Sequence, residues 1–366
     1  MDNSLFNHPE LYKVLCDIND TKDYRVYYHK AAYEYLYLDK KEESLKNISI
    51  AIERFEKYGT QCDMSLCVEI LNQLDNILIK TNINHYLSKM YLLAAELQGE
   101  IRDKEKSKDL YLKYYYYCNI VGIANEIRDK ESVIVYSFRK YSEYSLQDLI
   151  NGTITCIHPS KMNDPFDSIA NYISKPSRLS KNCNKENHIM PQSECFKHFT
   201  IRAFSANRLT YSEDDKILFD KKMWSHYAYY HEGFCIIYVF KKIFFNQYNY
   251  NNYSFTRLIP VNYDIDHPIT ICEKLNTDNS FAMKDKCWKD ENEVRLLHFE
   301  KDNADDHQFI KLGNDAYIKE IVFGIRCPED AKMTIANLYQ KKCKLSEIYN
   351  EEDKDIYSLK KRDYKG

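Results

Sequence analysis

From Lys22 to about Gly122 the apolar and aromatic positions recur at spacings of three and four, with no proline and no strand-like alternation, so this stretch is expected to be helical throughout. Tyr28-His29-Lys30-Ala31-Ala32-Tyr33-Glu34-Tyr35-Leu36 is followed by Glu43-Ser44-Leu45 and Ala51-Ile52. The same rhythm returns about 60 residues later as Leu87, Tyr91, Ala94-Ala95 and Leu97, then Leu110-Tyr111, Tyr114 and Tyr115, with Cys62 to Lys80 as a degenerate pair between the two copies. Near Asp129 the texture changes. Glu131 to Arg139 alternates β-branched and aromatic residues and predicts a strand. Tyr141 to Asn151 has the spacing of a short helix, which Gly152 is placed to end, and Thr153 to His158 predicts a second strand before the turn signal Asn163-Asp164-Pro165-Phe166.

The polar stretch from Ile169 to Lys197 reads as an insertion or mobile loop. Phe199 to Ser205 then predicts a strand that delivers Ser205 at its end. Lys222 to Phe240, KMWSHYAYYHEGFCIIYVF, predicts an aromatic helix, a turn at Glu232-Gly233 and a buried strand. Arg257 to Tyr263 reads as an edge strand, since Pro260 cannot donate to a ladder. A helix is expected around Ile271 to Lys286, a strand at Ile318 to Gly324, a helix opened by Pro328 and running to about Lys341, and one or two weaker strands from Cys343 to Asp363.

Composition narrows the possible functions. The chain has 366 residues, 44% hydrophobic and 29% charged, which is ordinary for a globular protein and long enough for two modules. A formal charge of -3 argues against a generally basic nucleic-acid surface, and only 8 glycines, with neither GxGxxG nor GxxxxGK[ST], argue against a glycine-rich phosphate loop. The 33 tyrosines are spread throughout, which suits packing rather than one site. No apolar leader opens the chain and no run approaches the roughly 18 to 20 apolar residues of a membrane span, so a cytoplasmic location is expected. Twelve cysteines without a CxxC pair suit reduced, buried thiols. Cys183, His188, Cys195 and His198 match no common zinc spacing, and no metal is expected.

The richest chemistry lies in Lys286 to Phe299, KCWKDENEVRLLHF. If this is a strand, Glu291, Glu293 and Arg295 project from one face. Two carboxylates side by side are what general acid-base work or stabilisation of a cationic intermediate needs. An exposed strand face laced with ion pairs is the plainer reading of the same pattern.

Three resemblances follow from these residues. The N-terminal copies, in which small residues let antiparallel helices approach, resemble tetratricopeptide helix pairs, although a general helical bundle fits nearly as well. The ordered set Tyr136-x-x-Arg139, Asn163-Asp164-Pro165-Phe166, Phe204-Ser205, Met223-Trp224-Ser225-His226-Tyr227-Ala228, His231-x-Gly233, Trp288-x-x-Glu291-x-Glu293-x-Arg295 and Ile318-x-x-Ile321-x-x-Gly324 resembles a widespread prokaryotic domain of unknown function over about residues 134 to 360. Arg139 at a first strand's end, Ser205 on a middle strand and Glu291-x-Glu293 late in the chain are similar in order to the ADP-ribosyltransferase fold.

The last resemblance implies NAD as substrate. Glu293 would stabilise the oxocarbenium-like state, Glu291 would orient or deprotonate the acceptor, Arg139 would hold pyrophosphate or ribose, Ser205 would fix a ribose, and Trp224 or Tyr227 would stack on nicotinamide. Tyr136 joins the cofactor-binding set through its place in the motif. The plainer roles are core packing for Trp224 and Tyr227 and a surface position for Arg139.

The expected architecture is therefore α+β: a tetratricopeptide-like helical module over 1–128 that binds a protein partner, and a mixed α+β ADP-ribosyltransferase-like domain over 129–366. Its expected activity is transfer of ADP-ribose to a macromolecular acceptor, protein or nucleic acid, in a toxin or antiphage-defence setting. NAD hydrolysis at the same site and a non-catalytic scaffold are the alternatives. A nuclease is disfavoured by the lack of metal-spaced carboxylates.

Overall fold

The computed structural model describes residues 9–18, 21–58, 83–100, 103–120, 130–162, 195–246, 253–263, 281–350 and 358–365. The expected degenerate pair at Cys62 to Lys80, the Asn163 to Phe166 turn, Cys183, His188, most of the 169–197 insertion and residues 271–280 of the helix expected around Ile271 to Lys286 lie outside them. The chain divides into two compact units, Met1–Val121 with Ser180–Phe196, and Gly122–Leu179 with Lys197–Gly366.

The described helices of the first unit are α1 (Pro9–Asp17), α2 (Tyr24–Tyr37), α3 (Lys41–Tyr58), α4 (Ile83–Glu100) and α5 (Lys104–Ile120). Short connections fold α2 on α3 and α4 on α5 as hairpins. The two hairpins are closed by the same bond. Ser44 Oγ donates to Ala31 O at 2.7 Å in one, and Ser107 Oγ donates to Ala95 O at 2.8 Å in the other. The alanines are buried and allow the close approach that the serines then lock. Aromatic rings fill what remains: Tyr91 of α4 stacks on Tyr117 of α5 with centroids 5.3 Å apart, and Phe55 of α3 meets Tyr117 edge-on. At the described end of the expected insertion, Cys195 and Phe196 are buried against α5 through Lys108 O and the Tyr115 ring.

The second unit is a mixed α+β structure around a ten-stranded sheet, with β1 (Ser132–Arg139), β2 (Thr153–Ile157), β3 (Phe199–Ser205), β4 (Phe234–Lys241), β5 (Ser254–Pro260), β6 (Glu293–Glu300), β7 (His307–Lys311), β8 (Ala316–Phe323), β9 (Lys344–Asn350) and β10 (Leu359–Asp363). Strand order is β10-β9-β8-β4-β1-β3-β2-β7, with β6 on β3 and β5 on β6. Among the described strands only β8 and β9 pair in parallel, joined through α9 (Glu329–Tyr339). β7 has no counterpart among the expected strands, because HQFIK is short and largely exposed.

Period-two alternation gives the sheet two faces. One buries Val133, Val135, Phe204, Ile236, Tyr238 and Val294 against α6 (Glu143–Asn151) and α9, where Tyr339 donates to Leu149 O at 2.8 Å. The other buries Tyr136, Phe138, Cys235 and Ile237 against α7 (Asp215–Leu218) and α8 (Lys221–Tyr227). Ser142 caps α6 in a reciprocal bond with Ser145, and Gly152 ends it at φ 61°, as the sequence predicts.

Candidate active site

The site lies where the sheet comes apart. β1 is fully laddered to β4, and β3 to β6. Between β1 and β3 there is one pair, Tyr136 with Ser205, and between β2 and β3 there is one, Ile157 with Ile201. The edge of β3 between these points has no continuous ladder, and a cleft of about 610 Å³ opens along it, lined by residues of β1, β2, β3, α8 and the approach to β6. That volume falls within the range of about 300–1,000 Å³ usual for small-ligand clefts.

Register brings the expected residues into line. Tyr136 pairs with Ser205, and Ser205 pairs with Glu293, so three adjacent strands present them in one row on one face. Tyr136, Arg139, Ser205, Tyr227, Glu291 and Glu293 all line the cleft. Trp224 does not. It is 0% exposed, packs edge-on to Phe138 and donates Nε1–H to Leu218 O at 2.6 Å, so it belongs to the core beneath the cleft. The tryptophan that does line the cleft is Trp288. Tyr136 is 2% exposed, and its hydroxyl accepts Asp214 N–H at 2.7 Å, which fixes the start of α7.

Glu291 does not share a strand with Glu293. It ends a 3-10 turn, Lys286–Glu291, and Asn292 in a left-handed conformation (φ 48°) separates it from β6. The break puts the two carboxylates on either side of Lys284, a residue no sequence pattern singles out. Lys284 Nζ contacts Glu291 Oε2 at 2.5 Å and Glu293 Oε2 at 2.8 Å, and lies 5.1 Å from the centre of the Trp288 ring. Arg295 Nε donates to Glu293 Oε1 at 2.7 Å and its Nη1 to Phe281 O. Tyr227 donates its hydroxyl proton to Glu291 Oε1 at 2.5 Å. Tyr263 OH accepts the Glu293 N–H at 3.0 Å.

Charge follows from this geometry. Burial raises the Glu293 carboxyl, but the Arg295 and Lys284 charges and hydrogen bonds outweigh it, holding Glu293 below its ordinary value and ionised. Burial works against the Lys284 ammonium, yet Glu293 and its other partners hold its pKa above the ordinary value. The Tyr227 phenol is pushed up, chiefly by burial, and the Tyr263 phenol up to about 12 for the same reason.

Four cations also line the cleft, Arg139, Lys140, Lys161 and Arg202. Alternation sets Arg139 and Arg202, which pair with Phe234 and Leu296, on the α6 face of the sheet, opposite Tyr136, Ser205 and Glu293, so the cleft reaches both faces where the strands part. Arg139 reaches Asp148 at 3.4 Å, and Lys161 reaches Asp306 at 3.2 Å. Arg202 donates to the Ser137 hydroxyl at 2.9 Å and lies over the Phe204 ring, while Lys140 lies 4.4 Å from the centre of Tyr229. Tyr229, Tyr230 and His231 follow one another at φ 48°, 55° and 70°, a run that non-glycine residues seldom adopt. The turn is tied down where the chain returns to the sheet. A Cβ on Gly233 would stand 2.0 Å from Arg139 O, so only glycine lets β4 begin beside the end of β1. His231 stacks on Trp224 with rings 5.9 Å apart, while His226 is exposed on α8.

Among the described residues no group of His, Cys, Asp and Glu is placed to hold a metal ion, and no helix is long and apolar enough to cross a membrane. No curated protein and no solved structure matches the chain. Residues 223–296, which carry Tyr227, Lys284, Glu291 and Glu293, match the model of a family described as a protein of unknown function, DUF2971.

Proposed function

We propose that the cleft binds NAD and transfers its ADP-ribose to a macromolecular acceptor. The observation that carries this reading is the polarity of a single cleft built across a split sheet. Its lining combines Arg139, Lys140, Lys161 and Arg202 with Glu291 and Glu293, the two arginines on one face of the sheet and Tyr136, Ser205 and Glu293 in register on the other. A dinucleotide has matching parts: an anionic pyrophosphate, and a ribose that becomes cationic as its bond to nicotinamide breaks.

In the reaction, nicotinamide leaves as a neutral molecule with the electron pair of the glycosidic bond. The positive charge left on ribose is stabilised by ionised Glu293. Each Glu293 oxygen already accepts one bond, from Arg295 or Lys284, and a carboxylate oxygen has a second lone pair for a ribose hydroxyl. The acceptor's nucleophilic atom attacks the ribose carbon and gives its proton to Glu291. With water as acceptor the same steps are NAD hydrolysis. Trp288 and Tyr227 offer ring faces for nicotinamide. Ser205 is positioned to meet the ribose on the middle strand.

We read the helical unit, whose two hairpins repeat one serine-to-alanine closure, as tetratricopeptide-like from the spacing of its small and aromatic residues, and as the surface that binds a protein partner or the acceptor. A toxin or defence role for such a two-part chain is an extension by analogy. The test is incubation with NAD labelled in its adenylate portion and a cell lysate. Label should pass to macromolecules with the parent protein and not with Glu293→Gln. Equal labelling by both would overturn the assignment.

A further inference from the structure

Lys284 has no part in the bond changes above, yet it stands at their centre. It touches both carboxylates and faces an indole ring. The cluster holds two carboxylates and two cations, and the cations differ in how firmly they are fixed. Arg295 is 0% exposed and tied to both Glu293 and Phe281 O, beyond the cleft lining. Lys284 lines the cleft, and its ammonium rides on a flexible four-carbon stem. A ligand that seats between Glu291 and Glu293 must therefore take the place of the ammonium that bridges them. Two carboxylates beside the face of Trp288 are a surrounding that suits an organic cation. A neutral group in the same place would leave the buried Glu293 and the partly buried Glu291 each short of a partner, which is costly.

Resting on the NAD reading, we propose that Lys284 is a specificity-determining residue: its ammonium is a built-in countercharge that the positive nicotinamide ring replaces on binding. The cleft thereby selects the oxidised dinucleotide over the reduced one, whose ring is neutral. The exchange keeps the charge of the cluster balanced, since one cation enters as another gives way. Trp288 then faces the ring in place of the ammonium, and Tyr227 stays bound to Glu291.

The experiment compares the full-length parent with Lys284→Met and, as a variant that keeps a hydrogen-bond donor for the glutamates, Lys284→Gln; folding of each is followed by circular dichroism. Equilibrium binding of NAD, NADH and N-methylpyridinium is measured through tryptophan emission and calorimetry. Removing the ammonium is expected to tighten NAD by about tenfold, equivalent to about 1.4 kcal/mol, and to leave NADH unchanged. N-methylpyridinium is expected to bind the variants and not the parent.

If NAD and NADH shift together, or neither shifts, while the parent binds NAD, the role given to Lys284 is wrong and the NAD reading stands. If N-methylpyridinium enters the variants but no protein binds either dinucleotide, the cation seat stands and the NAD reading is wrong. Failure of N-methylpyridinium to bind any folded variant overturns the seat itself.

Discussion

On the acidic side of the cleft, Glu291 and Glu293 share Lys284, Arg295 donates to the other Glu293 oxygen, and Tyr227 donates a hydrogen bond to the other Glu291 oxygen. On the cationic side, Arg139 and Lys161 are paired with Asp148 and Asp306, while Arg202 has only a hydroxyl and a ring for company among the contacts described above, and Lys140 a ring. The first side is buried and its charges are already balanced, so it is organised before any ligand arrives. The second keeps donors in reserve, as a surface meant to meet an anion should. The contrast separates chemistry from binding: the acidic side should govern rate, and the cationic side should govern affinity.

Substitutions can break that division. The largest effect is expected at Glu293, where exchange for glutamine removes the charge facing the developing cation and should lower turnover by about 10²–10³, the size typical of losing one preorganised electrostatic partner. NAD binding should change far less, a split that steady-state kinetics would reveal. Next is Gly233→Ala. Its Cβ would overlap Arg139 O, so the end of β1 or the start of β4 must move, at about 1–3 kcal/mol of stability by chemical denaturation. Arg202→Gln should weaken NAD binding by about tenfold with little change in kcat, the lower end of what a hydrogen bond to a charged group contributes.

The smallest effect is one of pH. The folded-state pKa of Glu293 lies below its ordinary value of 4.5, so its contribution to stability is fully present above that value and is lost as pH falls below it, through the lowered folded value. The stability of the parent, followed by chemical denaturation between about pH 7 and 3, should therefore fall at the acid end more steeply than that of Glu293→Gln. The helical unit answers to a different group. Burial, with Arg25 nearby, lowers His29 from 6.5 to about 4, so its unfolded form takes up a proton first and stability is lost as pH falls from 6.5 towards 4. Loss of helical signal should begin at a higher pH than loss of the Glu293 contribution, which far-ultraviolet dichroism and cleft binding would separate.

Much of this was legible in the chain. The alternation of Ser132–Arg139 and Phe199–Ser205, the Gly152 end of Glu143–Asn151, and the small residues Ala31, Ser44 and Ala95 of the helical hairpins are local signals, and local chemistry decides them. The meeting of Glu293 with Ser205 was suggested by order alone, and strand register supplies the contact.

What failed depended on tertiary context. Glu291 leaves the strand because Asn292 turns left-handed, which the alternation of E-x-E-x-R conceals. Trp224 and Trp288 carry the same ring, and only the packing of α8 onto the sheet sends one inward and leaves the other at the cleft. Lys284 sits outside any motif, and its importance lies in the two carboxylates it touches across the fold. A cation within ten residues of a paired carboxylate motif was the one available clue.

The most direct test of the account is release of free nicotinamide from NAD, followed by chromatography, because it registers transfer and hydrolysis alike. The parent should release nicotinamide, and a folded Glu293→Gln protein should do so about 10²–10³ times more slowly. No release from the parent, or equal release from both, would contradict the claim that this cleft breaks the glycosidic bond.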